Sequence, residues 1–192
     1  MAYRRRRGLQ ISFNAPVVLW FSLMCILALF INYLSKGAAN RVLFSVYRSS
    51  PFNPLTYLRL FFHVLGHADM DHLLGNVMMV LVIGPLLEEK YGSLNIIIMI
   101  VATALVTGIA NIIFFPHAIL GASGVVFAMI LLASFTRTAD NTIPLTFILV
   151  AVVYIGGQVM DAVAVQDNVS NLTHILGGAV GAVLGYVMNA SY

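Results

Sequence analysis

Charged residues are scarce in this chain of 192 residues: Asp, Glu, Lys and Arg make up 9% of it, while 60% is hydrophobic. An ordinary soluble domain carries roughly 25% charged and 45–50% apolar residues. A soluble protein of this length could not cover its surface with so few charges. The scarcity therefore excludes an ordinary globular fold and indicates that lipid surrounds most of the chain.

Cysteine is almost absent, since Cys25 is the only one and lies within an apolar run. A single cysteine excludes an internal disulfide and gives no basis for a thiolate metal site. We interpret Cys25 as a packing or lipid-facing residue, and we expect neither a metal nor another cofactor.

Four of the basic residues are consecutive, Arg4 to Arg7. Such a run can bind nucleic acid, but this one precedes a long apolar stretch and is typical of a cytoplasmic topology anchor. We therefore expect residues 1–14 to form a basic cytoplasmic tail, with no nucleic-acid partner.

The stretch Ala15–Leu34 has about 20 residues, the length of a membrane span, whereas the apolar part of a signal peptide has about 7–15. It is therefore predicted as a membrane span and not as a signal peptide.

Six apolar segments follow one another along the chain. Their runs do not alternate in polarity, and hydrocarbon requires every backbone group to be paired, so they are predicted as helices and not as barrel strands. Together they predict an all-α membrane protein with a six-helix core over residues 15–190. The segments are Ala15–Leu34, His63–Leu87, Leu94–Phe114, Gly121–Thr136, Ile143–Val165 and Asn171–Ala190.

The distribution of basic residues predicts the orientation, because an even number of spans puts both termini on one side. The N-terminal side carries six basic residues, Arg4 to Arg7, Lys90 and Arg137, against Lys36, Arg41, Arg48 and Arg59 opposite. Positive residues favour the cytoplasm, so both termini are expected there. The membrane itself is expected to be the inner membrane of a bacterial cell. The first loop, about 28 residues rich in apolar side chains, is expected to lie partly in the membrane interface.

Polar side chains inside predicted spans are rare and usually functional. His72 and Asn76 are four residues apart, so they share one helix face and can both donate hydrogen bonds there. The alternative is that they only satisfy backbone carbonyls, and the sequence leaves the two interpretations open.

Ser123 lies in the segment Gly121-Ala122-Ser123-Gly124 at the start of the fourth span. Serine in a membrane helix usually bonds its own backbone. The flanking glycines favour a further role, because they let another backbone or a substrate approach closely. Alone, this motif is a weak signal.

His174 shares a helix face with Gly177, Gly181 and Gly185 of the sixth span. Small residues let helices pack closely in lipid, and the fourth span offers Gly121, Gly124 and Ala128 as a facing stripe. If the two faces meet, Ser123 and His174 can approach within the ~2.6–3.2 Å that a general base requires. A glycine face can also serve packing alone.

The predicted depth of Ser123 in the membrane agrees with a site buried below the outer interface. Sixteen residues from Gly121 to Thr136 span roughly 24 Å, against a hydrocarbon core of about 30 Å. If Arg137 lies at the inner interface, Ser123 lies several ångströms below the outer one. Irregular backbone at that depth requires a water-filled cavity or surrounding protein, so we expect a cavity that opens to the outer side.

Together these residues resemble the rhomboid family of intramembrane serine proteases, and the resemblance spans essentially the whole six-helix core. Each motif alone is weak, but their order and spacing are specific. The segments that carry the resemblance are Arg59 in the first loop, the series His63, His67, His72 and Asn76, the turn Gly84–Ser93, the Gly121–Gly124 motif, and Asn171–Gly177.

The resemblance implies a catalytic dyad in which Ser123 is the nucleophile and His174 the general base. It implies an oxyanion site formed by the Ser123 N–H with His72 and Asn76, structural roles for Arg59 and Glu88, and single-span membrane proteins as substrates. The supporting residues would be Gly121, Gly124, Phe127, Asn171, Gly177 and Gly181. Three positions depart from the family: Leu58 replaces a tryptophan, Phe127 a tyrosine and Thr173 an alanine.

Other interpretations remain open. Asp161 or Asp167 could complete a triad, although both are expected near the outer end of the fifth span, where a solvated carboxylate needs no special role. A metal could bind among His63, His67, Asp69, Asp71 and His72, but the sequence has no HExxH motif. A rhomboid-like protein could also bind membrane clients without cutting them, although this chain keeps both dyad residues.

Overall fold

The structure, a computed structural model, describes residues 13–134 and 168–189, together with five separate positions in helical conformation between them. At positions 168–171 and 189 only the backbone is described. These parts of the chain contain helices and one isolated β-bridge, and no strand. The helices are α1 (Pro16–Leu34), α2 (Ala38–Val42), α3 (Pro54–Phe62), a 3-10 turn (His63–Leu65), α4 (Met70–Tyr91), α5 (Ser93–Phe114), α6 (Ser123–Ser134) and α7 (Asn168–Asn189).

Three of the described helices, α1, α4 and α5, are long and apolar enough to cross a membrane. The described part of α6 and the segment Leu172–Met188 of α7 are shorter apolar helices. The predicted fifth segment, Ile143–Val165, lies largely outside the described residues, as do residues 1–12 of the predicted tail. An all-helical membrane architecture is therefore confirmed, and the count of six spans stays a prediction.

The second predicted span begins too early. Helix α4 starts at Met70 and not at His63, because Gly66 is extended and Asp69 caps the new helix by accepting a hydrogen bond from the His72 N–H at 2.8 Å. The helix also continues beyond the predicted end to Tyr91, and the sixth segment begins three residues earlier than predicted, at Asn168. The connection to α5 is then Gly92 alone, with φ +81°.

The bundle buries polar groups and exposes apolar ones. Large apolar side chains such as Trp20, Phe30 and Leu86 are exposed, whereas Thr103 and Asn111 are among the most deeply buried residues. Apolar residues of all sizes fill the centre between α1, α4, α5 and α6. This outward apolar face is the arrangement expected of helices surrounded by lipid.

Two arginines hold the first loop, Arg59 by contacts within the loop and Arg48 by contacts with α5. Arg59 is buried; its Nε donates to the Val42 carbonyl at 2.9 Å, and its guanidinium lies 4.4 Å from the centre of the Tyr47 ring. Arg48 donates from Nε and Nη2 to the carbonyls of Ile112 and Ile113, at 2.9 and 2.7 Å, in the last turn of α5. These contacts fix the path of the loop, and its partial embedding in the membrane stays a prediction.

Glu88 joins the end of α4 to the start of α1. Its two carboxylate oxygens accept hydrogen bonds from the N–H groups of Val17 and Val18, both at 3.0 Å, and the Ser93 hydroxyl donates to Oε1 at 2.6 Å. The first N–H groups of a helix have no intrahelical acceptor, and a carboxylate there also complements the helix dipole. Glu88 thus caps a helix other than its own.

We expect Glu88→Gln to lower stability by about 1.5–3 kcal/mol, the range for a hydrogen bond to a charged group. The amide would place a donor against a backbone donor. Unfolding of the purified protein in detergent measures this. Glu89→Gln is the matched control, because Glu89 is exposed on the same turn. Equal stability of the two variants would contradict the capping role of Glu88.

Candidate active site

Ser123 and His174 lie within hydrogen-bonding distance. Ser123 is the first residue of α6, His174 lies on α7, and the distance from His174 Nε2 to Ser123 Oγ is 2.8 Å. Both side chains are half-buried. This distance lies within the range over which an imidazole can take a proton from a hydroxyl.

Glycine contacts explain why the two helices approach so closely. A Cβ atom built on Gly177 would collide with the backbone of Gly124, and one on Gly181 would collide with the backbone of Ala128. The two helices therefore pack backbone against backbone over two turns. Only residues without a side chain permit this approach, which brings the hydroxyl and the imidazole together.

The depth of Ser123 follows from the contacts of its neighbour. A Cβ on Gly124 would lie at ordinary contact distance, 3.5 Å, from the methyl groups of Thr103 and Thr107 on α5. Thr107 is seven residues before the end of α5 at Phe114, which corresponds to roughly 10 Å along the helix. Ser123 therefore lies well below the end of its neighbouring span.

Gly121 makes room for His72. Its φ is +129°, and a Cβ there would lie 2.8 Å from His72 Cε1 and 2.9 Å from His72 Nε2. The Nε2 edge of His72 therefore lies against the backbone two residues before Ser123. The Gly121 N–H donates to the His63 carbonyl at 2.9 Å, which fixes the turn that leads into α6.

Asn76 is placed differently from His72. Its side chain is buried, and Nδ2 donates to the His72 carbonyl one turn earlier in the same helix, at 3.0 Å. It does not line the cavity around Ser123. The geometry thus supports the interpretation that Asn76 satisfies a backbone carbonyl, and its role as an oxyanion donor stays a prediction.

A cavity of about 340 Å³ contains Ser123 and His174. Its wall includes His117, on the loop between α5 and α6, and Thr173. Sequence reasoning did not assign His117 to the site, because a histidine in an apolar loop gives no spacing signal. In the part of the chain that the structure describes, the residues that line the cavity are His63, Ala68, His72, His117, Ala118, Ile119, Leu120, Gly121, Ser123, Thr173 and His174.

The loop before Ser123 is held at two points. Val46 of the first loop and Ile119 form an antiparallel bridge, with N–H to carbonyl distances of 2.9 and 3.0 Å. The Asn111 amide donates to the carbonyls of Val46 and His117, at 3.1 and 3.0 Å. The backbone polar groups of Ile119 and His117 in this irregular loop are therefore paired with other protein groups.

Comparison with known proteins shows to which family the chain belongs. A family model described as Rhomboid domain matches residues 54–191, which include α3 to α7 and both Ser123 and His174. The chain belongs to the rhomboid family. It is 28% identical over 158 residues to Rhomboid-related protein 2 of Mus musculus, a match covering 71% of this chain and 52% of that protein. The chain thus spans about half the length of this curated relative.

The aromatic ring of Phe127 supports the histidine of this rhomboid. Its centroid lies 4.7 Å from that of His174, with the planes tilted by 48°. Phe127 is one turn after Ser123 on α6, so one helix presents both the hydroxyl and the ring that packs on the imidazole. The aromatic contact needs no hydroxyl, so the absence of tyrosine at this position does not remove it.

His63 of this rhomboid has structural contacts. His63 is buried, and its two ring nitrogens lie 3.1 Å from the Arg59 carbonyl and 3.2 Å from Thr107 Oγ1. Among the described residues, no group of three or more His, Cys, Asp or Glu side chains could hold a metal ion. The described segment 63–72 therefore gives the metal-site alternative no geometric support.

Three of the predicted residues cannot be compared with the structure. The side chain of Asn171 and the whole of Asp161 and Asp167 lie outside the described residues. The supporting role of Asn171 and the absence of a triad therefore stay predictions.

We expect Gly177→Ala to destabilise this rhomboid by about 1–3 kcal/mol, the usual cost of overpacking, because the new methyl group would force α7 away from α6. Unfolding in detergent measures the effect. Gly75→Ala is the matched control, since a Cβ on Gly75 of α4 would meet nothing within 4 Å and alanine favours a helix. If both variants unfold like the wild type, the close contact does not support the bundle.

Proposed function

We propose that this protein is an intramembrane serine endopeptidase that hydrolyses peptide bonds in or near transmembrane segments through a dyad of Ser123 and His174. The observation that carries the proposal is the 2.8 Å contact between His174 Nε2 and Ser123 Oγ in a cavity within a membrane bundle. Membership of the rhomboid family supports it.

The chemistry is acyl transfer in two steps. Ser123 Oγ attacks the carbonyl carbon of the scissile bond while His174 Nε2 takes the hydroxyl proton. His174 then gives this proton to the nitrogen of the leaving segment, the C–N bond breaks, and an acyl-enzyme ester remains. A water molecule then attacks the ester carbonyl while His174 takes its proton. The bond to Ser123 Oγ breaks, His174 returns the proton to Oγ, and the carboxylic acid product leaves.

The negative charge on the carbonyl oxygen needs nearby donors. Ser123 begins α6, and the first N–H groups of a helix lack intrahelical acceptors and face an electropositive helix end. His72 supplies a side-chain donor, since its Nε2 edge lies against Gly121. Asn76 donates one of its two amide hydrogens to the His72 carbonyl, so the second is left to contribute. Donors of this kind contribute about 10²–10³ in rate each.

The substrate we propose is a single-span membrane protein whose segment near the outer surface reaches the cavity. In the proposed orientation, both termini are cytoplasmic and the cavity opens to the outer side of a bacterial inner membrane. Water enters from the same side. The depth of Ser123 relative to the end of α5 supports cleavage within or next to the membrane-embedded part of the substrate.

Incubation of the purified protein in detergent with a model single-span substrate tests the activity. We expect the wild type to cut it, and Ser123→Ala and His174→Ala each to lose at least about 10³-fold, because each removes one half of a unit that acts together. Ser134→Ala is the matched control, since this serine of α6 donates to its own backbone at Ile130.

If the wild type binds the substrate and leaves it intact, the proposal fails in favour of a client-binding rhomboid without catalysis. If the Ser123→Ala variant cuts like the wild type, another residue is the nucleophile.

We also expect Asp161→Asn and Asp167→Asn to keep wild-type turnover, because a dyad requires no carboxylate to orient the histidine. The same cleavage assay measures this. A fall of about 10⁴-fold, as expected when the carboxylate of a triad is removed, would replace the dyad with a triad.

A further inference from the structure

His67 is a buried residue whose role is not explained by its hydrogen bonds alone. It is 0% exposed, and Nδ1 lies 3.0 Å from the Leu65 carbonyl, so this nitrogen carries the proton. Its other nitrogen, Nε2, has no hydrogen-bond partner among the described residues. Burial of an unpaired polar atom destabilises a fold, and an apolar side chain would avoid that cost. The imidazole is therefore expected to serve a neighbour.

That neighbour is His72. The ring centroids of His67 and His72 are 5.0 Å apart and the planes are inclined by 65°, an edge-to-face arrangement of the kind that aromatic pairs prefer. His72 also lies against Gly121 at its Nε2 edge. The imidazole that reaches the cavity thus contacts a buried ring as well as the backbone before Ser123.

His67 itself is held from the first loop. Asn40 of α2 donates from Nδ2 to the His67 carbonyl at 2.8 Å, and its own N–H donates to Asn32 Oδ1 of α1 at 3.0 Å. The preceding residue, Gly66, lies so close to the Phe44 carbonyl that a Cβ there would collide with it. The backbone that carries His67 is therefore fixed against a membrane-spanning helix.

Burial also keeps His67 neutral. It lowers the pKa of His67 to about 4, because the charged imidazolium is disfavoured away from water, and His72 opposes a second positive charge nearby. A neutral ring can pack against His72 without repelling it across the pH range in which a histidine base works.

We propose that His67 is a positioning residue, which restricts the imidazole of His72 to the orientation that points Nε2 at Gly121 and the start of α6. This inference rests on the proposed function, since the donor that His67 positions is the one assigned to the oxyanion. A half-exposed histidine side chain would otherwise change rotamer freely, and a donor contributes to rate only when it is already aimed.

Two substitutions separate positioning from structural support. His67→Asn keeps a donor near the position of Nδ1, facing the Leu65 carbonyl, and removes the ring that contacts His72. His67→Phe keeps the ring and removes the donor. Positioning predicts that the asparagine variant is the more stable and the slower, with kcat reduced about 10-fold at unchanged KM, a fraction of the effect of deleting a donor. If the less stable of the two variants is also the one with the lower kcat, His67 has only a structural role.

A double-mutant cycle tests whether the effect passes through His72. His67→Asn should cost nothing further in a His72→Ala background, and should keep its full effect beside Ser134→Ala. Full additivity with His72→Ala would overturn the proposal.

A measurement without turnover distinguishes this inference from the proposed function. In the Ser123→Ala protein with isotope-labelled histidine, the His72 ring signals should broaden by rotamer exchange with His67→Asn and not with Glu89→Gln. A shift without broadening is expected from the loss of the neighbouring ring alone, and it refutes the positioning role even if the wild type cuts. Broadening supports the positioning role even if the wild type cuts nothing, in which case the proteolytic function alone fails.

Discussion

The close contact between α6 and α7 is the constraint on which the site depends. Lipid removes most of the hydrophobic driving force between helices, so association relies on packing and on polar contacts. Here Gly177 and Gly181 allow the α7 backbone to touch that of α6. A single methyl group at either position would separate the helices by more than the tolerance of a 2.8 Å hydrogen bond. The distance between Ser123 Oγ and His174 Nε2 is thus set by glycines that lie one and two turns after His174 on α7.

Polar side chains also join the irregular segments to the helices. Glu88 caps α1, Arg48 caps α5, Arg59 holds the first loop, and Asn40 holds the segment that carries His67. Each of these side chains bonds backbone groups that would be costly to leave unpaired in hydrocarbon. The charges of Glu88, Arg48 and Arg59 therefore satisfy backbone groups where helices begin or end.

Helical spacing showed that Ser123 and His174 could approach each other if the two glycine faces met, because the glycines that permit the contact repeat with the helix period. That the two residues form a pair was implied by the resemblance to the rhomboid family. It was not enough to start α4 at Met70, since hydropathy extends through His63 to Leu65, whereas the helix start is decided by Asp69 capping the His72 N–H. The bridge between Val46 and Ile119 joins positions too far apart for any local pattern. Asn76 shares the predicted face of His72, and its amide donates to a carbonyl one turn back. Spacing places the side chain on a helix face but does not predict which acceptor the amide finds.

The depth of Ser123 gives the cavity its chemical character. Because α6 begins beside Thr103 and Thr107, about 10 Å below the end of α5, the chain between Phe114 and Ser123 must return as irregular backbone. Asn111 and Val46 satisfy that backbone from neighbouring elements, so it need not be buried in lipid or closed over by it. An open space lined by imidazoles is then left above the serine. A helix that began level with the end of α5 would have filled that space.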